Sequence, residues 1–225
     1  MLNEPLKYNN DTKLLFLDFE TENLNLSFQP PVPNRPWQSS MIKVQGSKVI
    51  EEIDKLTKWP NFKIGDGAAM VTKFYSRYNE RWGSTMSEAL QTHGQKPEKT
   101  FEIIKEQVDW CDHIVGHNVL GFDVFLLMEW YKMYGEDWEE LPYKLIDTAC
   151  LAKGIKLEDK YKKGEDLLAY QYKMYHTVKR GVKTSLQFLA KEYKLDFDPE
   201  LLHDGLYDLF QNIKIWDKLK WQLDI

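Results

Sequence analysis

Two short apolar runs, residues 13–20 (KLLFLDFE) and 113–117 (HIVGH), most constrain what this chain can fold into. Each is shorter than the ~10–12 residues of a core helix and apolar at successive positions, so each reads as a strand covered on both faces. Around them the apolar spacing turns helical. Residues 68–82 repeat Met70, Val71, Phe74, Tyr75 and Tyr78, and residues 98–111 follow Pro97 with Phe101, Ile104 and Val108. Helices are also expected over 119–133, 165–176, 184–193 and 205–219. Residues 40–58 read as a hairpin turning at Gly46-Ser47, and 143–147 as a further strand. Pro30, Pro31, Pro33 and Pro36 force a loop over about 27–37, and the P-x-x-P spacing within it reads as a stiff surface loop rather than a docking motif. Strands alternating with helices predict an α/β fold.

At 225 residues and 43% hydrophobic content the expectation is one domain spanning 1–225. Eight Trp, twelve Tyr and eleven Phe supply its core without disulfides. Cys111 and Cys150 form no C-x-x-C pair and suit reduced thiols in the cytoplasm. No apolar run reaches the roughly 18 residues of a membrane span, and the first residues lack a signal-peptide core, so no membrane partner is expected. The net charge of -5 runs against the basic excess usual for phosphate binding. Locally, however, residues 153–183 hold nine basic side chains against four acidic ones, either a solvated face or a phosphate-contacting strip. An acidic total also suits an enzyme whose carboxylates cations neutralise.

Three acidic motifs stand out. Asp18 and Glu20 in D-F-E-T alternate onto one strand face with Cα atoms roughly 6.6 Å apart at about 3.3 Å rise per residue. That separation suits metal ions roughly 3.5–4 Å apart; ordinary polar strand-end residues are the other reading. In H-N-V-L-G-F-D, Asp123 enters the first turn of an apolar helix, where an acid also suits the helix dipole. A carboxylate beside Phe122, Phe125 and Leu126 would be costly without compensation. Asn118 either orients a ligand or caps the helix, and His117 reads as a packed strand-end histidine. In H-D-G-L-Y-D, Asp208 edges the stripe Leu206, Leu209, Phe210, Ile213, Trp216 and Leu219. His203 shares a site with it only from the loop entering that helix.

Together these motifs resemble the DEDDh 3'-5' exonucleases, the DnaQ-like group of the RNase H-like superfamily. The first motif is met by Asp18, Glu20 and Thr21, the second by His117, Asn118, Phe122 and Asp123, and the third by His203, Gly205 and Asp208. His93-Gly94, Ile146-Asp147-Thr148-Ala149 and Ser185-Leu186-Gln187-Phe188-Leu189 fall in family order between them, so the resemblance covers about 13–219. Asp204 stands where the tyrosine subtype has its Tyr, which selects the histidine subtype. Glu22 replaces a common small hydroxyl residue, and residues 24–92 are longer and richer in proline than in compact relatives.

The resemblance implies an RNase H-like exonuclease fold: a mixed central sheet, its first three strands an antiparallel meander, with helices on both sides. It implies two Mg2+ or Mn2+ held by Asp18, Glu20, Asp123 and Asp208, with His203 as general base and Thr21 and Asn118 beside the terminal nucleotide. Clustered carboxylates should raise their own pKa values and push that of His203 upward. The expected activity is release of nucleoside 5'-monophosphates from single-stranded or frayed DNA ends, in proofreading or scavenging. Single-stranded DNA and a polymerase or replication protein are the implied partners. With the chain ending soon after the third motif, a stand-alone nuclease or a docking subunit is expected. An exoribonuclease and a noncatalytic nucleic-acid or polymerase-binding module on the same fold are the alternatives.

Overall fold

The computed structural model describes residues 12–26, 33–46, 48–162 and 164–220. The first apolar run forms β1 (Lys13–Thr21), which pairs antiparallel with β2 (Pro36–Gln45). β2 pairs in turn with β3 (Lys48–Leu56), so the expected hairpin forms around Gly46, at φ 57. The loop expected to reach residue 37 ends two residues earlier. Pro36 opens β2, a position where its missing N–H is tolerated, and Trp37 is wholly buried with its indole N–H donating to the Thr21 carbonyl at 3.2 Å. Residues 27–32 of that loop lie outside the described residues.

The helix expected over 68–82 is mostly absent. α1 (Asp66–Val71) stops after six residues, because Lys73 adopts φ 53 and turns the chain. Phe74 then drops into a satellite cluster against Trp37, with ring centroids 5.0 Å apart. A short ladder of β4 (Tyr78–Asn79) and β5 (Ser84–Thr85) follows around Gly83, at φ 65. α2 (Met86–His93), not anticipated, starts at a capping box between Thr85 and Glu88. α3 (Pro97–Trp110) matches its expectation, with Pro97 at its first position.

β6 (His113–Gly116) runs parallel to β1. α4 (Asp123–Met133) begins at Asp123 rather than residue 119, because residues 118–122 form a turn first. β7 (Leu145–Asp147) is parallel to β6 and begins two residues later than expected, behind a 3-10 turn at Leu141–Lys144. α5 (Thr148–Lys156) was not anticipated; α6 (Leu167–His176), α7 (Leu186–Glu192) and α8 (Gly205–Leu219) were.

The sheet order is β3-β2-β1-β6-β7, a three-stranded antiparallel meander extended by two parallel strands. Helices cover both faces. Phe19 on one face of β1 meets Trp130 of α4 edge-on at 6.0 Å. On the other, α8 lies against β1 and β2, and α5 and α7 pack on α8. β1, central and flanked by both pairing types, therefore delivers Asp18 and Glu20 to a sheet end bordered by α4 and α8.

Candidate active site

Alternation along β1 places Asp18 and Glu20 on the face opposite Phe19. Asp123, the first residue of α4, turns back under the strand and accepts the Phe19 backbone N–H at 3.0 Å. Asp208, in the first turn of α8, accepts the His203 backbone N–H at 3.0 Å. Three elements thus converge on one cleft of about 660 Å³ whose lining includes Asp18, Glu20, Asp123, Asp208 and His203. Glu20, His203 and Asp208 can each bring a ligand atom within 4.8 Å of the others.

The electrostatics are those of negative charge held out of water. Burial raises Asp18 to about 7, with Asp204 adding repulsion. Burial and then Asp18 raise Asp208 to about 8. Glu20 and Asp123 are pushed well above the usual carboxylate range, mainly by burial and then by their neighbours. Asp208 Oδ1 is buried without a hydrogen-bond partner. A hard-oxygen set of this kind, with a lone pair left over, fits a divalent cation.

His203 stands, as expected, on the loop entering α8, with Nδ1 3.9 Å from Glu20 Oε1. Its pKa moves opposite to expectation. Partial loss of water around the ring, whose side chain stays 46% exposed, and then the Arg77 guanidinium lower it, while carboxylates that themselves hold protons offer little charge to raise it.

Thr21 and Asn118 both line the cleft. Thr21 is buried and its hydroxyl donates to the Asn23 carbonyl at 2.7 Å, shaping the chain after β1. Asn118 does not cap α4, whose N-cap is Phe122. It adopts φ 65, gives its backbone N–H to Asp147 at 3.1 Å and leaves its side chain exposed. Asp147 also accepts the Leu120 N–H and caps α5, so it shapes the turn that presents Asp123. His117 is packed as expected: Nδ1 lies 3.0 Å from Thr148 Oγ1, and burial lowers its pKa to about 4. Glu22, the departure from the motif, is buried in a two-pronged pair with Arg35 at 2.7 and 2.8 Å and fixes the segment leaving β1.

Three further lining residues belong to none of the acidic motifs. Leu24, Met70 and Val71 form an exposed apolar rim on one side of the cleft. Gly205 sets the approach of α8: a Cβ there would sit 2.3 Å from Ser40 Oγ and 3.6 Å from Asp18 Oδ2. Gly205→Ala should push α8 off β2, cost about 1–3 kcal/mol of stability and separate Asp208 from Asp18. Urea unfolding and nuclease assays on that variant check this, and native values for both would refute it. Of the basic strip, Lys153 bonds the Tyr175 and Thr177 carbonyls, Lys156 pairs with Glu192, and Lys173 pairs with Asp159 at the surface. Lys179, Arg180 and Lys183 remain exposed on the loop beside Thr184 and Ser185 of the cleft.

No family model and no curated protein matches the chain. Its fold does match solved structures. The zinc-bound E. coli ExoI–ssDNA complex superposes with a TM-score of 0.66 at 18% identity, over 93% of this chain and 40% of that one. E. coli exonuclease I with a dT13 oligonucleotide gives 0.64 at 17%, over 93% and 41%. The ExoI/SSB-Ct complex gives 0.63 at 17%, over 91% and 40%. The chain thus spans about two-fifths of the exonuclease I chains it matches, and its fold is their α/β, RNase H-like fold.

Proposed function

We propose that this chain is a metal-dependent 3'-5' exonuclease that releases nucleoside 5'-monophosphates from single-stranded or frayed DNA ends. The observation that carries this reading is the convergence of four carboxylates from β1, α4 and α8, Glu20 and Asp123 buried and Asp18 and Asp208 half-buried, with one loop histidine in a single open cleft. A buried cluster of that charge lacks compensation until cations enter. Asp18, Glu20, Asp123 and Asp208 would hold two Mg2+ or Mn2+, which when bound supply water activation and stabilisation of the departing 3' oxygen.

The chain's own groups do the rest. The Phe19 and His203 N–H groups fix the carboxylates of Asp123 and Asp208. His203, its pKa lowered, is a free imidazole at neutral pH, the state that can take a proton from the attacking water. Leu24, Met70 and Val71 offer apolar surface to unstacked bases, and Lys179, Arg180 and Lys183 offer charge to the phosphates. The likeness to structures holding single-stranded DNA or an SSB segment supports a DNA strand as substrate and a replication protein as partner. Residues 1–225 are read as one exonuclease domain. Its two cysteines, free and buried, suit the reducing cytoplasm. Among the described residues no helix is long and apolar enough to cross a membrane.

The deciding experiment is digestion of 5'-labelled single-stranded DNA, duplex DNA and RNA with Mg2+ or Mn2+, with Asp18→Ala as control. Metal-dependent shortening from the 3' end is expected, fastest on single-stranded DNA. Preference for RNA would instead make the chain an exoribonuclease, and shortening of none would sink the enzyme reading. His203→Ala should slow the reaction about 10²-fold while cation binding, followed by calorimetry, persists.

A further inference from the structure

We propose that Arg77 is a positioning residue which, with Asn79, holds His203 in place from the segment between α1 and β5. Three side chains of residues 73–79 reach across to the three residues surrounding His203 at alternate positions. Lys73 Nζ donates to the carboxylate and carbonyl of Glu200, Arg77 Nη2 donates to the Leu202 carbonyl at 2.5 Å, and Asn79 Nδ2 donates to Asp204 Oδ2 at 2.7 Å. His203 sits between the last two bonds in the left-handed region, at φ 59, a conformation that a residue with a Cβ keeps only when its surroundings impose it.

The three bonds are unequal. In the Lys73–Glu200 pair the carboxylate is open to water, with 78% of its side chain exposed, so the pair holds little. Arg77 is half-buried and Asn79 nearly wholly buried, so their bonds meet less competition from solvent. The clamping side is itself anchored. Phe74 is locked against Trp37, Arg77 N–H closes a turn on the Lys73 carbonyl at 2.9 Å, and Asn79 is paired with Ser84. The departure of residues 72–79 from a helix is what makes this reach possible.

The inference rests on the reading of His203 as the general base, and its test separates the two. Arg77→Ala should lower kcat on single-stranded DNA about 10- to 10²-fold, the scale of a misplaced catalytic group, while KM stays within about twofold. Arg77→Lys, which restores one donor, should recover part of that loss. In a His203→Ala background the Arg77→Ala penalty should vanish, since there is no imidazole left to place. Native kcat in both Arg77→Ala and Asn79→Ala overturns the clamp, as does an undiminished Arg77 penalty in the His203→Ala background. If Arg77→Ala fails to fold, Arg77→Lys and Asn79→Ala run the same cycle. A native rate in His203→Ala sinks the base reading itself, whereas an enzyme that needs His203 and ignores Arg77 sinks only the clamp.

Discussion

Asp18→Asn is expected to leave about a thousandth or less of the 3'-end shortening, because several kcal/mol of charge stabilisation at the reacting phosphate depends on this carboxylate. It lies at the centre of the cluster. Its charge raises the pKa values of Glu20, Asp123 and Asp208 alike, and it sits beside the close approach of Gly205 to Ser40. The amide keeps shape and most hydrogen-bonding capacity, so the loss should not come from misfolding. Thermal unfolding in metal-free buffer at pH 8 should in fact show a higher Tm for Asp18→Asn than for the native chain, since a buried repulsive charge is gone. Lower activity with higher stability is the joint signature. Retained activity would refute the assignment of Asp18, and a lower Tm would refute the view that its charge is uncompensated without cations.

The parts of this site that were legible in the sequence were those governed by local periodicity. Strand alternation alone put Asp18 and Glu20 on one face and Phe19 on the other, and the apolar stripe of α8 placed Asp208 at its edge. Asp123 was visible as a helix-start acid, although the turn at 118–122 moved that start. What failed was set by contacts distant in the chain. Residues 68–82 carry a genuine helical spacing, yet Phe74 is claimed by Trp37 and Lys73 bends the backbone to let it go there. The bond from Arg77 to the Leu202 carbonyl spans 125 positions, a separation at which no local pattern operates. α2 has a local signal, the Thr85-to-Glu88 capping box, but its eight residues carry little periodicity beside the longer helices. The direction of the His203 shift has the same root: the identities of its neighbours are written in the sequence, but whether they carry charge depends on burial that only the assembled fold creates.

That burial leads to the second large effect. In metal-free buffer the chain should lose stability as pH rises from about 6.5 to 8.5, against the usual plateau in that range. Asp18 and Asp208 have folded-state pKa values of about 7 and 8, against an ordinary value of 3.8. Unfolded, both are ionised across this window; folded, both are still giving up protons. A raised pKa contributes stability that is complete below the unfolded value and lost as pH climbs through the folded one. His117 and His203, both lowered, act in the opposite direction, but below about pH 6.5, where the unfolded imidazoles take up protons that the folded ones refuse. Above it the carboxylates dominate. The loss should be on the order of 2–3 kcal/mol, or about 5–10 °C in Tm for a chain of this size. Mg2+ or Mn2+ binds the ionised carboxylates, so millimolar cation should restore Tm at pH 8.5 and do much less at pH 6.5. Differential scanning calorimetry at the two pH values, with EDTA and then with cation, reads all four corners. A Tm that holds or rises toward pH 8.5 in EDTA would show the four carboxylates to be compensated by the protein itself, and the site would then have no electrostatic need of a metal.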